Sequence, residues 1–201
     1  MAYGGENQLT VSGWYGAAGR ADEPRDSKLN RMLVQRFQID APEQMAPADT
    51  TVETANTKKL TILAGTIQAG DRFVGRGWGK VTNQNGADEA TIRVRLGGLT
   101  GVAIVDHAGG DPGTGDHVWF HFDLWFEAKG AALTSKFHSH GVSQNTGDTA
   151  QDTFVEDNTS IDTTVEQDIV VTQDWNADNV ANRFKLFELS AELFRTRQAW
   201  G

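Results

Sequence analysis

Four of the five histidines fall on two nearby alternating stretches, as His117, His121, His138 and His140. Imidazoles carried on paired strands can share a divalent ion if a third ligand is at hand, and zinc or iron would suit such a set. His121, His138 and His140 are therefore the candidate metal ligands, with Asp123 as a further oxygen donor. No metal-ligand spacing signature accompanies them, so the reading taken is a polar sheet face or a subunit interface, with no metal and no cofactor.

Trp78, Trp119 and Trp125 occupy the same kind of position, on the polar phase of alternating segments. An outward indole has two uses: it stacks on a sugar ring, or it is buried between polypeptides, where tryptophan is enriched. The interface reading is preferred and the glycan reading kept as its alternative. Asp174-Trp-Asn-Ala-Asp178-Asn179 opens like a calcium loop, but Asn179 replaces the required Gly and Lys185 the closing Glu. An Asx-rich turn accounts for it better. His138-Ser-His140 lacks the following Glu of a cupin metal motif, Gln144 standing there instead. Gly109-Gly-Asp-Pro-Gly-Thr-Gly115 lacks the Lys of a phosphate loop, and no Gly-x-Ser-x-Gly occurs. The chain has no Cys, which excludes thiol catalysis, disulfide scaffolds and Cys zinc sites. The expectation is a protein that is not an enzyme.

These residues need a scaffold, and beyond Lys58 the period is 2. In Arg72–Val81 the odd positions read Phe73, Gly75, Gly77, Gly79 and Val81, a glycine-lined face that admits bulky opposing groups. Ile92, Val94 and Leu96 point inward, with Arg93 and Arg95 outward. Val118, Phe120, Phe122, Leu124 and Phe126 form an apolar face. Its reverse carries His117, Trp119, His121, Asp123, Trp125 and Glu127. A two-residue turn at Lys129-Gly130 would set Phe126 against Leu133 and Phe122 against Phe137. Outside, it would set Asp123 against Lys136, His121 against His138 and Trp119 against His140. Further strands follow at Thr153–Val155, Ile161–Val165 and Asp168–Thr172. In Phe184–Arg197, Phe187, Leu189, Ala191 and Leu193 share one face. About eight antiparallel strands without helix-length connections predict an all-β sandwich or jelly roll over residues 58–201.

Residues 1–57 read as an extended N-terminal arm, Gly-rich at first and linker-like from Asp40 to Asn56. Between them, Leu29, Met32, Leu33 and Phe37 fit a helical stripe capped by Asp26 or Ser27, while Leu33, Phe37 and Ile39 fit a strand equally well. The short helix is the reading taken. Its apolar residues, Leu29, Met32, Leu33 and Phe37, are candidate contacts for a neighbouring subunit.

Charge bounds the partners. The 201 residues carry a net charge of −9, and the stretch 151–180 holds eight acids and no Lys or Arg. Such a chain lacks the basic surface of a nucleic-acid binder. No apolar run reaches the roughly 20 residues that span a bilayer, and the N-terminus lacks the pattern of a signal peptide. The expectation is a soluble protein made in the cytosol, with neither nucleic acid nor membrane as partner.

The segment Lys59-Leu-Thr-Ile-Leu-Ala-Gly-Thr-Ile-Gln-Ala-Gly-Asp-Arg-Phe-Val-Gly-Arg-Gly-Trp-Gly-Lys80 resembles a pattern in jelly-roll structural proteins of tailed bacteriophages. There a Thr-rich strand, a Gly-Asp turn and a strand ending in Trp-Gly follow one another. Ala90–Gly98, Asp168–Thr172 and Phe187–Glu192 are similar to its later strands, so the likeness spans residues 58–197. It implies a virion component: a capsid decoration or head-fibre subunit, with a tail or adhesin part as the alternative. The partners it implies are further copies of the chain, as a homotrimer, and a major capsid or tail protein. A host-surface glycan is the partner under the alternative.

Overall fold

The computed structural model describes residues 8–10, 25–26, 31–44, 52–82, 87–107, 116–129, 134–146 and 151–196. Thirteen strands lie within them: β1 (Gln8–Thr10), β2 (Arg25–Asp26), β3 (Arg31–Gln38), β4 (Glu43–Gln44), β5 (Thr54–Ile62), β6 (Arg72–Thr82), β7 (Ala90–Leu96), β8 (Val102–His107), β9 (His117–Lys129), β10 (Thr134–Asn145), β11 (Asp152–Asp162), β12 (Gln167–Trp175) and β13 (Arg183–Thr196). The larger sheet runs β1-β3-β13-β6-β9-β10-β11, with β2 on β3 and β4 on β13; the smaller runs β5-β12-β7-β8. Every pairing is antiparallel, and the chain passes repeatedly between sheets, so the fold is the all-β jelly-roll sandwich that the alternation predicts.

Period-two patterning places the core between the layers. Phe37, Phe73, Phe126 and Phe137 form a line of rings across β3, β6, β9 and β10, with centroids 5.8–5.9 Å apart. Ile92, Val94, Leu96, Ile169 and Val171 close it from the smaller sheet. The glycines of β6 leave room for these rings. Gly75 lies under Phe122, Gly77 under Phe120 and Gly79 under Phe184, each so close that a Cβ would enter the ring. Gly141 of β10 likewise lies against the backbone of Ile104 in β8, which brings the two sheets together at that end.

Residues 31–44 belong to the sandwich, which corrects the boundary at residue 57. Arg31–Gln38 is a strand rather than a helix, paired with β13. Phe37 and Ile39 lie in the core, and the Ile39 amide donates to the Leu189 carbonyl at 3.0 Å. Spacing of two matches a sheet that already buries β13, and this outweighs a helical stripe too short to stand alone. The Glu43 carboxylate accepts the backbone amides of Thr57 (3.2 Å) and Lys58 (2.7 Å), fastening the linker-like segment to β5.

The β9–β10 hairpin forms with both predicted faces but in another register. Phe137 faces Phe126 instead of Phe122, and His138 faces Trp125. The slip is an even number of residues, so every side chain keeps its side. Room for it comes from a connection longer than two residues and from a bulge between Ser135 and Phe137. The strand expected at Thr153–Val155 is part of β11, which runs on to Ile161 and Asp162, whereas Thr163–Val165, expected to continue a separate strand, form the turn after it.

Beneath the sandwich edge, Asp71 is wholly buried and accepts two hydrogen bonds from Arg195, at 2.9 Å each. Arg195 also donates to the Thr66 carbonyl at 2.8 Å. The turn before β6 is thereby tied to the last strand.

Candidate functional site

The two outer faces differ. On the smaller sheet, a lattice of charge covers the strands. Arg93 donates to Asp106 (3.1 Å) and Asp174 (3.0 Å), and Arg95 grips Glu53 through two bonds of 2.7 Å. Burial raises the Glu53 pKa, but hydrogen bonds from Arg95 and Thr172 outweigh it and leave the carboxyl below its ordinary value. Asn176 closes the adjoining Asx-rich turn, accepting from the Glu89 amide (2.9 Å) and donating to the Ala87 carbonyl (3.1 Å).

The outer face of the larger sheet carries three tryptophans. Trp78, Trp119 and Trp125 are 37%, 40% and 44% exposed, and Val155 beside them on β11 is 59% exposed. Other exposed apolar side chains, such as Leu99 and Val180, sit singly in turns and need no partner.

Register sets what each indole meets. Trp78 of β6 lies directly opposite Trp119 of β9, and Arg76 opposite His121. One face of Trp78 stacks on Phe187 (4.4 Å, 14°), and His117 approaches its edge at 5.7 Å. Six residues along β9, about 20 Å at the rise of an extended strand, Trp125 stacks on His138 with centroids 5.4 Å apart. Between the two stations Arg72 holds Asp123 through both carboxylate oxygens. Arg76–Glu188 (3.3 Å) and Arg36–Glu192 (2.8 Å) continue the pattern toward β3.

His138 is clamped by Glu127 at Nε2 and Asp157 at Nδ1, each 2.9 Å away, joining β9, β10 and β11. Hydrogen bonds to Glu127 first, then Asp157, raise its pKa above the ordinary histidine value. A protonated ring there also sits over the Trp125 face, where a cation is favoured.

The three candidate ligands are spread out. His121 lies opposite Val142, His138 opposite Trp125 and His140 opposite Asp123. No three of His, Asp and Glu among the described residues gather as a metal-holding group. Asp123 pairs with Arg72, not with Lys136 as the shorter turn required, because the slipped register brings His140 opposite it. Of the arm residues, Leu33 is half-buried and Phe37 is core, so Phe37 is no contact for another subunit. Leu29 and the Met32 side chain lie outside the described residues.

Phe187 was expected on the inner face with Leu189. A bulge between Leu186 and Glu188 turns it outward onto Trp78. The signal was present as two adjacent apolar residues, Leu186-Phe187, where strict alternation allows one.

Two of the grooves on this face lie at the indoles. One of about 820 Å³ lies along Trp78 and Trp119 and is rimmed by Arg76, His121, Gln151 and Glu188. The other, about 440 Å³, lies at Trp125, His138 and Val155.

No protein-family model matches the chain, and no curated protein sequence matches it. Among solved structures it is similar to the seed lectin of Lotus tetragonolobus (8% identity, 82% of this chain and 100% of that one, TM-score 0.41). It is also similar to arcelin-5, a lectin-like defence protein from Phaseolus vulgaris (8%, 84% and 100%, TM-score 0.39). The metal-free lectin I-B4 of Griffonia simplicifolia is a third (8%, 79% and 98%, TM-score 0.41).

Proposed function

We propose that this chain is a non-enzymatic structural subunit of a tailed-phage virion, a capsid decoration or head fibre. It holds its neighbours through the outer face of the nine-stranded sheet. The observation that supports this reading is the clustering of Trp78, Trp119, Trp125 and Val155 on that one face. Removing apolar area from water contributes about 25 cal/mol per Å², and indoles supply much area for little lost freedom. The Trp125–Val155 end, at the edge strand β11, is the contact for a second copy in a homotrimer or for the major capsid protein. The N-terminal segment ahead of β3 serves as the anchor, and the acidic surface of the last third faces solvent. The second reading is a tail or adhesin component whose same sheet face meets a host glycan.

Purified particles carrying Trp125→Ala with Val155→Asp test the first reading. The doubly substituted chain is expected to fold and melt cooperatively, its stability lowered only by the lost Trp125–His138 stack, yet to be missing from particles or reduced at least tenfold. Full incorporation would remove this face from the assembly.

A further inference from the structure

The groove along Trp119 has a chemistry distinct from that of the Trp125 end. We infer that it is a binding site for the ring of a neutral hexopyranose, an assignment that rests on the second reading above and gives that reading its site.

Such a sugar has two kinds of surface: an apolar face of C–H bonds and a belt of hydroxyls that both donate and accept. The groove offers a counterpart to each. Trp119 presents a 40% exposed indole, and Trp78 across the strand pair is held by Phe187 and His117. An aromatic platform whose neighbour is already fixed loses little freedom when a ring settles on it.

The rim supplies planar polar groups. The His121 imidazole, the Gln151 amide and the Trp119 indole N–H make no hydrogen bond with the described residues. Arg76, its side chain 74% exposed, touches Glu188 only through Nε at 3.3 Å. An Arg–Glu pair side by side can receive vicinal hydroxyls as donor and acceptor at once.

Charge selects the class. Arg76 and Glu188 cancel, one cation against one anion. The rim therefore offers neither the cationic cluster that holds a sialylated or phosphorylated ligand nor the acid cluster that holds a cation. The volume of about 820 Å³ is within the range of pockets for small ligands, and suits one or two rings. A protein partner seated there would bury the His121 imidazole and the Gln151 amide at a desolvation cost, whereas a sugar hydroxyl satisfies them.

The test uses the full chain on an array of neutral and acidic glycans, followed by titration with the best neutral oligosaccharide. Binding to at least one neutral hexose-containing glycan is expected. Trp119→Ala should weaken it at least tenfold and Arg76→Ala with Gln151→Ala at least fivefold. Trp119→Phe should keep most of it, and Trp125→Ala should leave it unchanged. Both weakened variants alter exposed side chains and should melt as the parent does. Three results would overturn the assignment: no neutral glycan retained, acidic glycans alone retained, or binding indifferent to Trp119 and to the Arg76–Gln151 pair. Particle incorporation of Trp119→Ala separates the two ideas, because normal incorporation with lost glycan binding leaves the structural role standing.

Discussion

Trp78 of β6 and Phe187 of β13 lie ring on ring, centroids 4.4 Å apart and planes 14° from parallel, on the outside of the sandwich. Strict alternation would have placed Phe187 in the core. The bulge after Leu186 is therefore a feature of the outer face, and it makes Trp78 a fixed wall of the groove.

Substitution of that ring distinguishes the two placements. Phe187→Ala should cost about 1 kcal/mol, the size of one stacked aromatic pair on a half-open surface. A core phenylalanine would cost about 3–5 kcal/mol. Urea unfolding of the variant measures which applies, and a loss above about 3 kcal/mol would return Phe187 to the interior.

The glycine face of β6 makes a sharper prediction. At Gly75 the three atoms nearest an added methyl all belong to the Phe122 ring, whereas at Gly77 they include the Glu188 carbonyl oxygen at 2.5 Å besides the Phe120 ring. Both Gly→Ala changes should destabilise by about 1–3 kcal/mol or more. Phe122→Leu should recover part of the Gly75→Ala loss, but Phe120→Leu should recover little of the Gly77→Ala loss, because backbone cannot step aside. Equal recovery in the two double variants would contradict this packing.

Asp71 and Arg195 test the tie between the turn before β6 and the last strand. Removing Arg195 leaves a carboxylate in the interior with no cation against it, a situation that typically costs about 3–5 kcal/mol. Arg195 is itself 27% exposed, so the lower end applies. Arg195→Ala should therefore lower the unfolding free energy by about 3 kcal/mol in urea. A change under 1 kcal/mol would mean the pair is solvated.

His138 gives a pH dependence whose sign follows from its partners. Its folded pKa is raised by Glu127 and Asp157. The clamp is thus fully present below the unfolded value of about 6.5 and is lost as pH climbs through the higher folded value. Melting temperature should fall across that interval in the parent and stay flatter in His138→Gln. Parallel curves for the two proteins would show that the imidazolium is not held.

Much of this was legible in the residues. Alternation at Val118–Phe126 and the glycine run of β6 identified the sandwich, and the same alternation put Trp78, Trp119 and Trp125 outside. Register was harder to read, since any even slip preserves both faces, and only the real loop length decides between Phe122 and Phe126 as the partner of Phe137. The strand at Arg31–Gln38 was hidden because its partner, β13, lies some 150 residues away, while Leu29, Met32 and Leu33 imitate a helix locally. The groove's polar rim was hidden for a related reason: Arg76, His121, Gln151 and Glu188 come from four separate segments that only the sheet order assembles.

A cryo-electron-microscopy map of the particle that contains this chain bears most directly on the proposed role. The account predicts density for the jelly roll on the virion, with Trp125 and Val155 covered by another polypeptide. A particle that lacks the chain, or one on which the whole outer face of the nine-stranded sheet stands in solvent, would contradict it.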